Sequence, residues 1–204
     1  MSQPGLNKKK RSFFRSALGF VSEIVKAFII SLAIILPIRY FLIQPFYVQG
    51  ASMEPTFYSH DYLIINEFEY YFQKPARGDV VVFRSPYSRK EYFIKRIIGL
   101  PKEKVEIKDN QIYIYNNDYP AGFVLKEDYL LTNQSFTDNK QNKTVQLGDE
   151  EYFILGDNRN YSLDSRTFGP ISTKSIVGRA WVRGWPFSRI NIFGKVNYNY
   201  TKAN

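Results

Sequence analysis

The sequence predicts a mainly β protein, with a β-barrel-like domain carried behind one N-terminal transmembrane helix. Three observations predict it. A basic leader runs into a long apolar stretch near the N-terminus. Beyond that stretch the chain breaks into short β-branched and aromatic runs separated by turn residues. Aromatics are abundant, with 16 Tyr and 17 Phe, and such side chains suit a pleated, half-buried surface. Apolar content of 44% and charged content of 23% are near globular averages, so most of the 204 residues are expected to fold.

The leader, 1–26, holds Lys8, Lys9, Lys10, Arg11, Arg15 and Lys26 against Glu23 alone. Five of the nine net positive charges therefore fall there, and the basic balance predicts no nucleic-acid partner. It suits anionic lipid head groups, which attract each nearby cation by about 1 kcal/mol. Residues 27–43, AFIISLAIILPIRYFLI, are uncharged as far as Ile38. Residues 27–38 are apolar on every helical face, whereas a core helix keeps a polar side. About 20 apolar residues span a bilayer, and about 17 is the lower limit. Pro37 kinks the last turn, Arg39 reaches for the interface, and Tyr40, Phe46 and Tyr47 supply interfacial aromatics. A cleavable signal peptide shares the basic-then-apolar pattern, but Gln49 is a poor fit to the minus-three place of an A-x-A site. The expectation is an uncleaved anchor in the lipid bilayer. Cations precede it and none occurs from Gln44 to Gln73, which places the leader in the cytoplasm and 44–204 outside the membrane.

The strands follow in order. YLIIN at 62–66 and DVVVF at 79–83 are β-branched runs, the second launched by Arg77-Gly78. EYFIKRIIG at 91–99 is another. VEIKDNQIYIYN alternates on both sides of Asp109-Asn110, the signature of a two-residue hairpin. EYFILGDN ends a strand at Gly156, and SIVGRAWVRGW carries Gly178 inside a strand, where a bulge is expected. Residues 116–150 are polar and punctuated by Asn, Asp and Gly, and read as a looser insertion on the β domain. Cysteine is absent, which excludes disulfides, thiol nucleophiles and cysteine–zinc sites.

Within QGASMEPTF, 49–57, Ser52 is either a turn residue or a nucleophile. A nucleophile needs a base. The single histidine, His60, lies in the polar run SHDY and reads more readily as a surface residue. G-x-S-x-G is absent because Glu54 occupies the last glycine's place. Lysine is the other option, but a neutral lysine at pH 7 costs about 4–5 kcal/mol unless burial lowers its pKa. Strand alternation puts Lys95 on one face with Phe93 and Ile97, and Ile94 and Ile98 on the other with Arg96. A lysine that merely snorkels from that strand satisfies the same pattern. GDNRNYSLDSR, 156–166, then gathers Asp157, Arg159, Asp164 and Arg166 with Asn158, Ser162 and Ser165. It reads either as a solvated loop with weak surface pairs or as a hydrogen-bonding shell around a catalytic amine.

SMEPT, IKRIIG and GDNRNYSLDSR, in that order behind an N-terminal anchor, closely resemble type I signal peptidase, the bacterial leader peptidase family. The resemblance runs from the anchor to about Trp185. It implies a membrane-bound serine endopeptidase with a β-barrel-like core outside the cytoplasmic membrane, free of cofactor and metal. Its substrates would be secretory pre-proteins, cut after small residues. Carried over by position, Ser52 is the nucleophile and Lys95 its general base. Ser162 orients the amine, and Asp157, Arg159, Asp164 and Arg166 support the site. Because a carboxylate beside Lys95 favours the charged amine, Asp164 is expected to pair with Arg166. Phe46, Val48, Met53, Phe93 and Ile94 flank the pair and are expected either to line substrate pockets or to be ordinary core. One departure is Gly50, where some relatives carry a serine that helps hold the oxyanion; here the Ser52 backbone N–H is expected to serve. A self-cleaving Ser-Lys repressor would carry a DNA-binding domain in place of the anchor. A membrane-tethered, non-catalytic β binding module accounts for the anchor and strands but not for the three blocks together.

Overall fold

The computed structural model describes residues 6–41, 43–88, 90–130, 142–196, 198 and 201–202. The chain forms two units, Met1–Leu42 and Ile43–Asn204. The first is one helix, α1 (Leu6–Phe41), and at about 1.5 Å per residue its length exceeds the bilayer core. Among the described residues, the part long and apolar enough to cross a membrane is Leu18–Leu36, starting earlier than the 27–43 stretch. Its two charges, Glu23 and Lys26, sit one turn apart and pair at 3.0 Å, so a single ion pair interrupts the apolar run.

The second unit is antiparallel β. Its strands are β1 (Ile43–Tyr47), β2 (Tyr62–Asn66), β3 (Val80–Arg84), β4 (Tyr92–Gly99), β5 (Lys104–Lys108), β6 (Gln111–Tyr115), β7 (Phe123–Val124), β8 (Lys143–Gln146), β9 (Glu151–Leu155), β10 (Ile171–Ser172), β11 (Ile176–Trp185), β12 (Asn191–Ile192) and β13 (Thr201–Lys202). Two one-turn helices, α2 (Glu69–Phe72) and α3 (Ser165–Phe168), lie between them. The main sheet runs β1-β2-β11-β3-β4-β9-β10, with β12 paired to β11, and the second runs β13-β7-β6-β5-β8. The protein is mostly β, 35% strand against 22% helix, and the barrel-like expectation is realised as two open sheets without a closed barrel.

Local chemistry explains the elements that position the site. β3 is central, and Val80, Val81, Val82 and Phe83 are all buried, as a strand covered on both faces requires. Val80 and Val82 pack with Met53, Phe57 and Leu63, while Val81 and Phe83 pack with Ile97, Tyr152 and Ile154. β5 and β6 turn at Asp109 and Asn110, whose φ values of +50° and +62° match the left-handed two-residue turn. The register of β11 slips between Ile176 and Gly178, placing the bulge where the strand glycine predicted it.

The 116–150 segment differs from its reading as a loose insertion. Residues 131–141 lie outside the described residues. The remainder supplies β7 and β8 to the second sheet, and Phe123, Leu125 and Leu147 join the core with Ile98 and Phe153. Only a few apolar residues anchor each piece, which is why composition alone reads it as polar. Ile43, taken as the end of the anchor, begins β1 and pairs with Asn66.

Candidate active site

Ser52 sits in the turn after β1 and Lys95 sits in the middle of β4. The register of β3 against β4 sets Val81 opposite Lys95, and the Phe93 ring lies 5.8 Å from the amine. Lys95 is 4% exposed, which excludes a snorkelling lysine. Its Nζ lies 2.7 Å from Ser52 Oγ and donates to the Ile94 carbonyl at 2.8 Å. Burial lowers its pKa to about 8, against the opposing pull of Asp164 and, more weakly, Asp157. The two groups are thus within proton-transfer range, and the amine is neutral in a substantial fraction of molecules at mildly alkaline pH. His60 is exposed and its ring packs against Tyr47 at 5.6 Å; the base at hydrogen-bond distance from Ser52 is Lys95.

The charged residues that open the 156–166 block and Asp164 are interior: Asp157 and Asp164 are 0% exposed and Arg159 is 2% exposed, while Asn160, Tyr161 and Leu163 face solvent. Asp164 accepts from Arg166 Nε at 2.8 Å and Nη2 at 2.9 Å, and from the Gly156 N–H at 3.0 Å. Asp157 accepts from Arg96 Nε at 2.8 Å and Nη2 at 2.6 Å, and from the Thr56 hydroxyl at 2.5 Å. Both carboxylates therefore face arginine, which limits their pull on Lys95. Asn158 reaches the nucleophile turn directly. Its backbone N–H donates to the Ser52 carbonyl at 3.0 Å and its side-chain Nδ2 to the Ala51 carbonyl at 3.0 Å.

Ser162 departs from the amine-orienting role that the resemblance implied. Its Oγ is buried without a hydrogen-bond partner, and the amine's second bond goes to Ile94 instead. The hydroxyl lies over Gly156. A Cβ at Gly156 would sit 2.5 Å from the Ser52 carbonyl oxygen and closer still to Ser162 Oγ. Gly156→Ala must push the nucleophile turn away from the amine. The expected result is a loss of kcat/KM of at least about 100-fold with about 1–3 kcal/mol of destabilisation, read by steady-state kinetics and thermal melting.

A cleft of about 350 Å³ opens on Ser52 and Lys95, lined by Phe46, Val48, Phe93 and Ile94 with Leu63 and Val82 behind them. Tyr92, Tyr161 and Leu163 also line it. Met53 does not: it is 1% exposed and packs into the core with Phe57 and Leu63. The turn after Ser52 sends the next side chain inward, which adjacency in sequence could not reveal. Gly50 has φ of +89°, a conformation that favours glycine and accounts for the absence of a serine there. Among the described residues, nothing accepts from the Ser52 backbone N–H.

Neither the direct clamp of Asn158 on the turn nor the bond from Thr56 to Asp157 was legible in the residues. The one signal for Thr56 was a hydroxyl four residues beyond the nucleophile in SMEPT.

Residues 21–185 match the family model described as signal peptidase, peptidase S26. The probable signal peptidase I-2 of Synechocystis is 34% identical over 175 residues, covering 83% of this chain and 76% of that protein. The signal peptidase I of Leptolyngbya laminosa is 35% identical over 179 residues, 84% of this chain and 83% of its own. That of Bacillus amyloliquefaciens is 34% identical over 191 residues, 90% of this chain and 97% of its own. The chain belongs to the peptidase S26 family of signal peptidases.

Proposed function

We propose that this chain is a membrane-tethered serine endopeptidase that removes signal peptides from exported pre-proteins, with Ser52 as nucleophile and Lys95 as general base. The carrying observation is the 2.7 Å separation of Lys95 Nζ and Ser52 Oγ, with burial holding the amine's pKa near 8. Neutral Lys95 takes the Ser52 proton as Oγ bonds to the scissile carbonyl carbon. The Ser52 N–H meets the developing oxyanion. As the carbon–nitrogen bond breaks, the lysine ammonium returns its proton to the leaving amine. Lys95 then takes a proton from water as it adds to the acyl carbon, and returns it to Ser52 Oγ as the acyl–Oγ bond breaks. β1 is an edge strand of the main sheet, so an extended segment laid along it would present alternate side chains to the cleft. Phe46, Val48, Phe93 and Ile94 would favour small apolar side chains there.

α1 would anchor the enzyme, with its basic leader in the cytoplasm and the β unit on the other face, where exported chains emerge. The test is processing of a pre-protein carrying an Ala-x-Ala site by the full chain in vesicles. Wild type yields mature product and Ser52→Ala is slower by at least about 1,000-fold. Equal processing by the two would exclude Ser52 as nucleophile, and no processing by either would favour a non-catalytic binding module.

A further inference from the structure

Two side chains from the segment that follows β7 hold the arginines that hold the nucleophile turn. The Tyr129 ring lies 3.9 Å from the Arg96 guanidinium, covering the cation that neighbours Lys95 on β4. Arg96 grips both oxygens of Asp157, and Asp157 in turn accepts from Thr56, four residues beyond Ser52. On the other side, Glu127 accepts from both terminal nitrogens of Arg159, with Nη1 at 2.7 Å. Arg159 Nε donates to the Gly156 carbonyl at 3.0 Å. Between these two arginine contacts lies Asn158, which bonds the Ala51 and Ser52 carbonyls. Glu127 and Tyr129 are themselves joined: the Tyr129 hydroxyl donates to Glu127 Oε1 at 2.5 Å, and the Tyr198 ring meets Tyr129 edge-on at 6.5 Å.

We infer that Glu127 and Tyr129 are positioning residues for the peptidase reaction, acting on Ser52 and Lys95 through Arg159 and Arg96. The inference rests on the reading of Ser52 and Lys95 as the reacting pair. Neither residue touches the cleft, and both come from outside the sheet that carries Lys95. A cation stacked on an aromatic face and screened from water keeps its carboxylate partner in one geometry. Removing the face admits water to the Arg96–Asp157 pair and loosens the link to the turn. A sub-ångström drift of Ser52 from the amine slows chemistry more than it weakens substrate binding.

The experiment uses the full chain in vesicles with Tyr129→Leu, Tyr129→Phe and Glu127→Gln, assayed well below each melting temperature. Tyr129→Leu and Glu127→Gln are expected to lower kcat about tenfold with KM within about twofold. Tyr129→Phe keeps the ring over Arg96 and is expected to hold kcat within about threefold of wild type. A second readout is independent of activity. The Asn158 amide, which bonds the Ser52 carbonyl, is expected to exchange with deuterium about tenfold faster in Tyr129→Leu, while Val81–Phe83 in β3 exchange as in wild type. Wild-type kcat and wild-type Asn158 exchange in Tyr129→Leu would overturn the inference. So would a Phe variant as slow as Leu, or faster exchange throughout β3. Should the wild-type chain itself fail to cleave, the dyad reading fails, and Asn158 exchange still decides whether Tyr129 holds the turn.

Discussion

Lys95→Arg is expected to slow cleavage by at least about 10,000-fold at every pH from about 6 to about 10. Arginine keeps the positive charge and much of the length, but it stays protonated in that range and cannot accept the serine proton. The wild type should instead gain kcat/KM with rising pH through an acid limb near the Lys95 pKa of about 8. The same burial burdens the fold. In the unfolded chain the amine titrates near its ordinary value of 10.5, above the folded value of about 8. Below about 8 both states are protonated and the folded state bears the cost of a buried ammonium. Between about 8 and 10.5 the unfolded chain holds one more proton, so stability rises with pH. Lys95→Met is therefore expected to be inactive yet more stable at pH 7 by about 1–3 kcal/mol, with the gain shrinking as pH climbs through that window. Chemical denaturation at several pH values measures it. Near-normal turnover by Lys95→Arg would exclude the lysine-base mechanism.

The second large effect concerns Arg96 and Asp157, which are 4% and 0% exposed. Burial alone would lower the Arg96 pKa, and Asp157 more than reverses that, raising it. Arg96→Met strands the Asp157 charge in the interior, with Thr56 its remaining side-chain donor among the contacts described. The expected loss is about 3–5 kcal/mol in urea unfolding. Adding Asp157→Leu should restore part of that stability, because a buried pair replaced by apolar groups loses both the attraction and the desolvation cost. Activity should stay low in the double variant, since Thr56 and the Asn158 turn would still lack their carboxylate. A loss below about 1 kcal/mol for Arg96→Met would show that water reaches the pair.

Much of this arrangement could be read from residues alone, where local chemistry decides. Asp109-Asn110 specified a hairpin because few residue pairs accept two successive positive φ values. The apolar neighbours of Lys95 were legible because strand alternation is a short-range rule, but they fitted a snorkelling lysine as well as a buried one. What was hidden depends on distant partners. Ile43, the first residue of β1, was counted with the anchor because an apolar strand shortly after an apolar helix leaves no compositional break. Met53 stood open between cleft wall and core, since a tight turn reverses the direction of a neighbouring side chain without any mark in the pattern. The burial of Asp157 and Arg159 could not be seen, because their charges are neutralised by Arg96 and Glu127 from other parts of the chain. Tyr129 and Glu127 drew no notice for the same reason: each looks ordinary until its arginine is in place.

The clamp on the Ala51 and Ser52 carbonyls comes from Asn158, more than a hundred positions further along. During synthesis the nucleophile and its amine are both made well before that residue exists. A half-made chain therefore carries every reacting atom but no proteolytic geometry. The Ser52 turn therefore acquires this clamp only when the last third of the polypeptide has been made and folded.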